Sequence, residues 1–190
     1  MPHEVNIRVA GGAGQGVHTV GTLLFRMAVA AGHHFHLTQD YMSRIRGGRN
    51  SQTVRIGTGP VRAGRETAEI LLAGNPDHLP GLLPGLTPGG FAIADAAEPM
   101  QNLVHAPLKR LAAEAGSPIL ANVAGTGVIA FAIGFPKDLA DRAFEEMFAG
   151  EFLEKNRRAF RLGWEWAKDI SRRNARHGSS SQPGSSSPAS

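Results

Sequence analysis

The sequence predicts an α/β protein: three layers, αβα, around a mostly parallel or mixed sheet, with helices filling the C-terminal part. Three observations carry this. The chain opens with a strand, a glycine-rich turn and an amphipathic helix. Short apolar runs then alternate with turn signals as far as residue 121. Beyond that point the apolar spacing is helical throughout. Strands that give way to helices in this manner argue a layered α/β fold.

The elements follow in order. Val5-Asn6-Ile7-Arg8-Val9-Ala10 alternates apolar and polar residues, the period of a strand. Gly11 to Gly16 is a tight turn. From Val17 to Ala31 the residues Val17, Val20, Leu24, Met27 and Ala31 fall at helical spacing, and Gly32 follows as a stop. His34 to Leu37 reads as a second strand, Thr38 to Asn50 as a polar loop, and Ser51 to Ile56 as a third strand. Glu69 to Ala73 and Gly90 to Ala94 are further strands, separated by a proline- and glycine-broken connection. Pro107 to Ala115 is a short helix with proline in its first turn and Gly116 behind it. Pro118 to Ala121 reads as a last strand. Ala124 to Ile133 is small and apolar on all sides, so something must cover it, within the chain or in a partner. Asn122 is placed to cap that helix. Lys137 to Phe148 is amphipathic. Glu151 to Ile170 is a longer helix, with Trp166 facing the core and Trp164 suited to a partner surface.

Composition narrows the function classes. The 190 residues are 42% hydrophobic and 19% charged, which suits one domain, taken as residues 1–171, and a tail. Residues 172–190 are rich in Ser, Pro, Gly and Arg and offer little apolar surface, so they read as disordered. There is no cysteine, hence no disulfide framework and no cysteine-ligated iron–sulfur cluster or zinc ribbon on this chain. No apolar run approaches the roughly 20 residues of a membrane-spanning helix, and the first residues lack a leader pattern, so the expected compartment is the cytoplasm. The net charge of +4 comes with only 6% aromatic residues. That balance favours an anionic cofactor or an acidic partner surface over nucleic acid. The histidines at 18, 33, 34 and 36 have no acidic pair at metal-ligand spacing, and no metal site is expected.

Two segments carry chemistry. In Gly11-Gly12-Ala13-Gly14-Gln15-Gly16, glycines let backbone N–H groups converge in front of a helix N-terminus, which favours a diphosphate or carboxylate. The dinucleotide fingerprint fails, because Val17 stands where its third glycine belongs. An NTPase loop fails because Val17 and His18 replace Lys and Ser/Thr. A turn that merely joins strand to helix closely fits the same glycines equally well. In Asp40-Tyr41-Met42-Ser43-Arg44-Ile45-Arg46-Gly47-Gly48-Arg49-Asn50, three arginines flank a glycine pair between two strands. Guanidinium forks suit phosphate and carboxylate.

Together with Val9-Ala10, Val17, Gly21, Gln39, Ala121-Asn122-Val123, Gly134-Phe135-Pro136, Lys155-Asn156, Ala159-Phe160 and Leu162-Gly163, these motifs resemble the gamma domain of 2-oxoacid:ferredoxin oxidoreductases, over residues 5 to about 170. The resemblance implies a complex that decarboxylates a 2-oxoacid on thiamine diphosphate and Mg²⁺. Such a complex passes electrons through iron–sulfur clusters to ferredoxin or another acceptor and transfers the acyl group to coenzyme A. It also implies that the thiamine and clusters sit in catalytic alpha and beta subunits. This chain then contributes no catalytic residue and binds no cofactor by itself. The expected contact set toward coenzyme A or an acidic partner loop is Gly11, Gly12, Gly14, Gln15, Gly16, Arg44, Arg46, Gly47, Gly48, Arg49 and Asn50. The arginine loop is most like those of enzymes for 2-oxoglutarate and related acids. The Ser/Pro/Gly tail suggests a free-standing subunit, as in indolepyruvate and arylglyoxylate relatives. The alternative is an independent nucleotide-binding α/β protein that uses the glycine turn.

Overall fold

A computed structural model describes residues 3–12, 16–41 and 50–178. The strands are β1 (Glu4–Gly11), β2 (His34–Tyr41), β3 (Asn50–Gly57), β4 (Ala68–Ala73), β5 (Leu86–Ala94) and β6 (Leu103–His105). They form one sheet in the order β2-β3-β1-β4-β5-β6. The β1-β4, β4-β5 and β5-β6 pairs are parallel, whereas β3 runs antiparallel to both β1 and β2. The sheet is therefore mixed. Because β3 is reversed between them, β1 and β2 point the same way, and the C-terminal ends of β1, β2, β4, β5 and β6 share one edge.

The helices are α1 (Val17–Ala30), α2 (Leu79–Leu82), α3 (Leu108–Glu114), α4 (Ala121–Ala132), α5 (Asp141–Met147) and α6 (Gly150–Gly178). Strand alternation sorts the sheet into two faces. Val5, Ile7, Val9, Val54, Ile56, Ile70, Leu72 and Ile93 turn toward the main core, which α1, α3, α4, α5 and α6 complete. Phe144 and Phe160 are fully buried there, with ring centroids 5.6 Å apart. Burial of each such ring stabilises the fold by roughly 1.5–3 kcal/mol. The other face carries a smaller core in which Leu79 and Leu82 cover Ala10, Leu71, Ala73, Ala92 and Ala94. The rest of that face is crossed by the segment after β3. Asn6 Nδ2 donates to the Thr67 carbonyl at 2.6 Å, and Arg55 donates to the Ala63 carbonyl at 2.5 Å. Arg55 and Arg65 flank Glu4 at 2.5 and 3.1 Å. The Arg55 hydrogen bond, more than any other contact, holds the Glu4 carboxyl below its usual range.

Helix α4 explains why its sequence is so small and apolar. A Cβ on Gly125 would press on Leu72 of β4 at 2.6 Å, and one on Gly127 would overlap the Phe160 carbonyl of α6. From the other side, a Cβ on Gly163 would overlap the Ala124 carbonyl. Backbone thus meets backbone where α4 and α6 cross.

Several elements differ from the sequence expectation. β2 extends to Tyr41, into the expected loop, and β6 was not foreseen. Pro118–Leu120 is a 3-10 turn feeding α4, not a strand. The edge beyond β5 is taken by β6, and Pro118 lacks the N–H that a ladder needs. Asn122 is the second residue of α4, 4% exposed, and does not cap it; the preceding Leu120 holds the cap position. Trp164 is half-buried: its Nε1 donates to the Phe135 carbonyl at 2.9 Å, its ring meets Phe131 edge-on, and Lys137 and Lys168 lie over the ring. Residues 172–178, assigned to the tail, continue α6, with 172–176 exposed. Residues 179–190 lie outside the described residues. Gly163→Ala would force α4 and α6 apart. It should cost at least about 2 kcal/mol, read as a melting temperature lower by roughly 4–8 °C.

Candidate functional site

The site is built where β1 ends and α1 begins. Gly11 closes β1 beside Asn50 of β3, its partner in register. Gly16 precedes α1 with φ 71°, a left-handed backbone that glycine adopts without a Cβ penalty. The Gly16 carbonyl accepts the first helical bond, from Val20 N–H at 3.1 Å. Among the described residues no side chain caps the helix, and its first turn holds no acidic residue. The partial positive charge of α1 is therefore not offset by its own first turn.

In front of this helix end lies a cleft of about 340 Å³ lined by Gly12, Gly16, Val17, His18, Gln39, Asn50, Ser51 and Gln52. His18 and Gln39 form its rim, with Gln39 Nε2 and His18 Nδ1 3.1 Å apart. Gln52 forms its floor, 1% exposed, and among the described residues its amide nitrogen and oxygen find no hydrogen-bond partner. That amide lies against α1 at Gly21, where a Cβ would overlap Gln52 Oε1.

Of the expected contact residues, Gly11, Gly12, Gly16 and Asn50 come together here. Gly14, Gln15, Arg44, Arg46, Gly47, Gly48 and Arg49 lie outside the described residues. The anchors of both segments are nonetheless fixed. Gly12 and Gly16 bracket residues 13–15, and Tyr41 and Asn50, partners in register, bracket residues 42–49. Both segments start and finish at the edge where β1 and β2 end, the usual ligand edge of an open α/β sheet. Sequence reasoning missed the lining roles of His18, Ser51 and Gln52. Gln52 had a signal: it shares the strand face of Val54 and Ile56, where a polar side chain is out of pattern. Among the described residues there is no group of three or more His, Asp or Glu that could hold a metal.

This strand–glycine turn–helix with an adjoining hairpin lies within the match to the family model "Pyruvate ferredoxin/flavodoxin oxidoreductase", which covers residues 6–166. The chain belongs to that family. It is 25% identical over 175 residues to the 2-oxoglutarate synthase subunit KorC of Archaeoglobus fulgidus, covering 90% of this chain and 92% of the relative. It is 30% identical over 182 residues to the ketoisovalerate oxidoreductase subunit VorA of Methanothermobacter thermautotrophicus. That match covers 87% of this chain but only 37% of VorA. Among solved structures, the keto/oxoacid ferredoxin oxidoreductase gamma subunit of Geobacter sulfurreducens superposes with a TM-score of 0.75 at 25% identity, over 87% of this chain and 99% of that one. The 2-oxoglutarate:ferredoxin oxidoreductase of Magnetococcus marinus shares the fold, with a TM-score of 0.79 at 21% identity. The match covers 89% of this chain and 32% of the Magnetococcus one.

The Gly21–Gln52 contact is testable as a pair. Gly21→Ala should lower stability by about 1–3 kcal/mol through overpacking. Adding Gln52→Ala should recover much of that loss, and a double-mutant cycle on thermal unfolding measures the coupling.

Proposed function

We propose that this chain is the gamma subunit of a thiamine diphosphate-dependent 2-oxoacid:ferredoxin (acceptor) oxidoreductase. It supports CoA-dependent oxidative decarboxylation of a 2-oxoacid of the 2-oxoglutarate, indolepyruvate or arylglyoxylate type, in complex with catalytic alpha and beta subunits in the cytoplasm. The observation that carries this reading is the near end-to-end match to the Geobacter gamma subunit. The likeness to KorC over almost its whole length supports a 2-oxoglutarate-type substrate. No described helix is long and apolar enough to cross a membrane.

The residues of this chain do not fit the redox and thiamine groups. It has no cysteine to ligate a cluster, and the sequence has no Gly-Asp-Gly to start a magnesium–diphosphate site. Those groups are assigned to partner chains. The cleft fits an anion better: uncapped N–H groups of α1 face it, and two glycine-bearing segments are anchored on it. In this reading the glycine turn and Arg44, Arg46 and Arg49 meet the phosphates of coenzyme A as it enters the assembled complex. Phosphate oxygens accept from backbone N–H groups and from guanidinium forks. The role is to bind and orient; proton and electron transfer take place on the partners.

Two measurements test this. Affinity capture of the chain from its own cells should recover a thiamine-binding partner and a cysteine-rich, iron-containing partner, with 2-oxoacid-dependent dye reduction. Recovery of the chain alone, without iron or thiamine, would favour the independent nucleotide-binding protein. Replacing Arg44, Arg46 and Arg49 together by Ala in the assembled complex should raise the KM for coenzyme A at least about tenfold, one decade per 1.4 kcal/mol of lost binding, with assembly preserved. Unchanged assembly with unchanged KM would remove the arginines from the coenzyme site.

A further inference from the structure

We infer that β2 is a docking edge for a second copy of this chain, paired antiparallel with itself across a twofold axis. The two edges of the sheet are built differently. β6 has three residues and runs into Ala106-Pro107, so it offers little to pair with. β2 has eight residues, ends the strand order, and keeps unbroken register with β3 from His34↔Gly57 to Tyr41↔Asn50. It contains no proline and no bulge, and no Lys, Arg, Asp or Glu lies between His34 and Gln39. Soluble proteins blunt long edges with such devices, because an unprotected edge is a template for another strand. Among the described residues, no strand lies on its outer side.

Side chains at this edge add an apolar surface. Phe35 is 36% exposed and Leu37 37% exposed, both on the face toward α1, where Val29 is 52% exposed. Phe25 braces Phe35, their ring centroids 4.3 Å apart. Nearby Arg26 is already paired with Glu146. A twofold axis perpendicular to the sheet keeps faces together. Antiparallel self-pairing therefore places Phe35 and Leu37 of both copies in one continuous apolar strip, bordered by Val29 from each. The surface is its own complement, as an isologous contact requires. It also brings no like formal charges together between His34 and Gln39. The occupant committed to here is a second copy, a conclusion independent of the proposed function.

The test uses the full-length chain. Light scattering after size exclusion should give twice the chain mass of 20.1 kDa, and Leu37→Lys should halve it with unchanged circular dichroism and melting temperature. Because the chain has no cysteine, Leu37→Cys supplies a single thiol. It should form a disulfide-linked dimer under mild oxidation, whereas Glu98→Cys, on the loop between β5 and β6, should not. A wild-type monomer overturns the inference, as does a dimer that Leu37→Lys leaves intact. If the chain is monomeric and Leu37→Lys instead loses partner subunits in affinity capture, the edge belongs to a strand of a different chain.

Discussion

The close crossing of α4 and α6 sets the arrangement of this protein. Gly127 and Gly163 allow the two backbones to touch, and Gly125 lets α4 settle on Leu72 at the centre of the sheet. A helix with side chains at those positions would stand off from the sheet and from α6. The main core would then hold a gap instead of Phe144, Phe160 and Ile129. Close packing of this kind converts small residues into dispersion contacts along both helices. The nearly featureless apolar sequence of α4 is thus a consequence of being enclosed on two sides.

The second organising feature is the reversed strand β3. Placed between β1 and β2, it carries the chain back so that β2 ends at the same edge as β1. Asn50 is thereby set beside Gly11, and the hairpin anchors beside the glycine turn. The cleft arises from this topology, with the start of α1 as one wall and the end of β2 and the start of β3 as the other.

Much of this was legible in the sequence, for identifiable reasons. The alternation in β1 and β3 and the 3.6-residue spacing of α1 each reflect one buried face, which single-residue patterns report well. The glycine turn was readable because Gly16 stands where a left-handed backbone is needed. The missed features are those that depend on neighbours distant in sequence. β6 is three residues long and exists only because β5 offers it an edge. The 3-10 turn at Pro118 looked apolar enough for a strand. The partners of Trp164, the Phe135 carbonyl and Phe131, lie about 30 positions earlier in the chain. The far turns of α6 are helical without burial, so a judgement based on apolar surface could not find them. Gly11, Gly12 and Gly16 stand at the cleft, where the glycine pattern points. Gln52 is out of pattern on its strand face, but the reason for its place there is its contact with Gly21, a residue 31 positions earlier.

The eight residues 42–49 leave the sheet at Tyr41 and return at Asn50, which face each other across adjacent strands. Both anchor points are held by the ladder whatever lies between them. Doubling such a connection changes closure entropy by only about 0.6 kcal/mol. The segment can therefore be lengthened, shortened or recharged with little effect on the fold. Tyr41 and Asn50 are in that sense a graft point: sequence exchanged between them is borne by a ladder that does not depend on it.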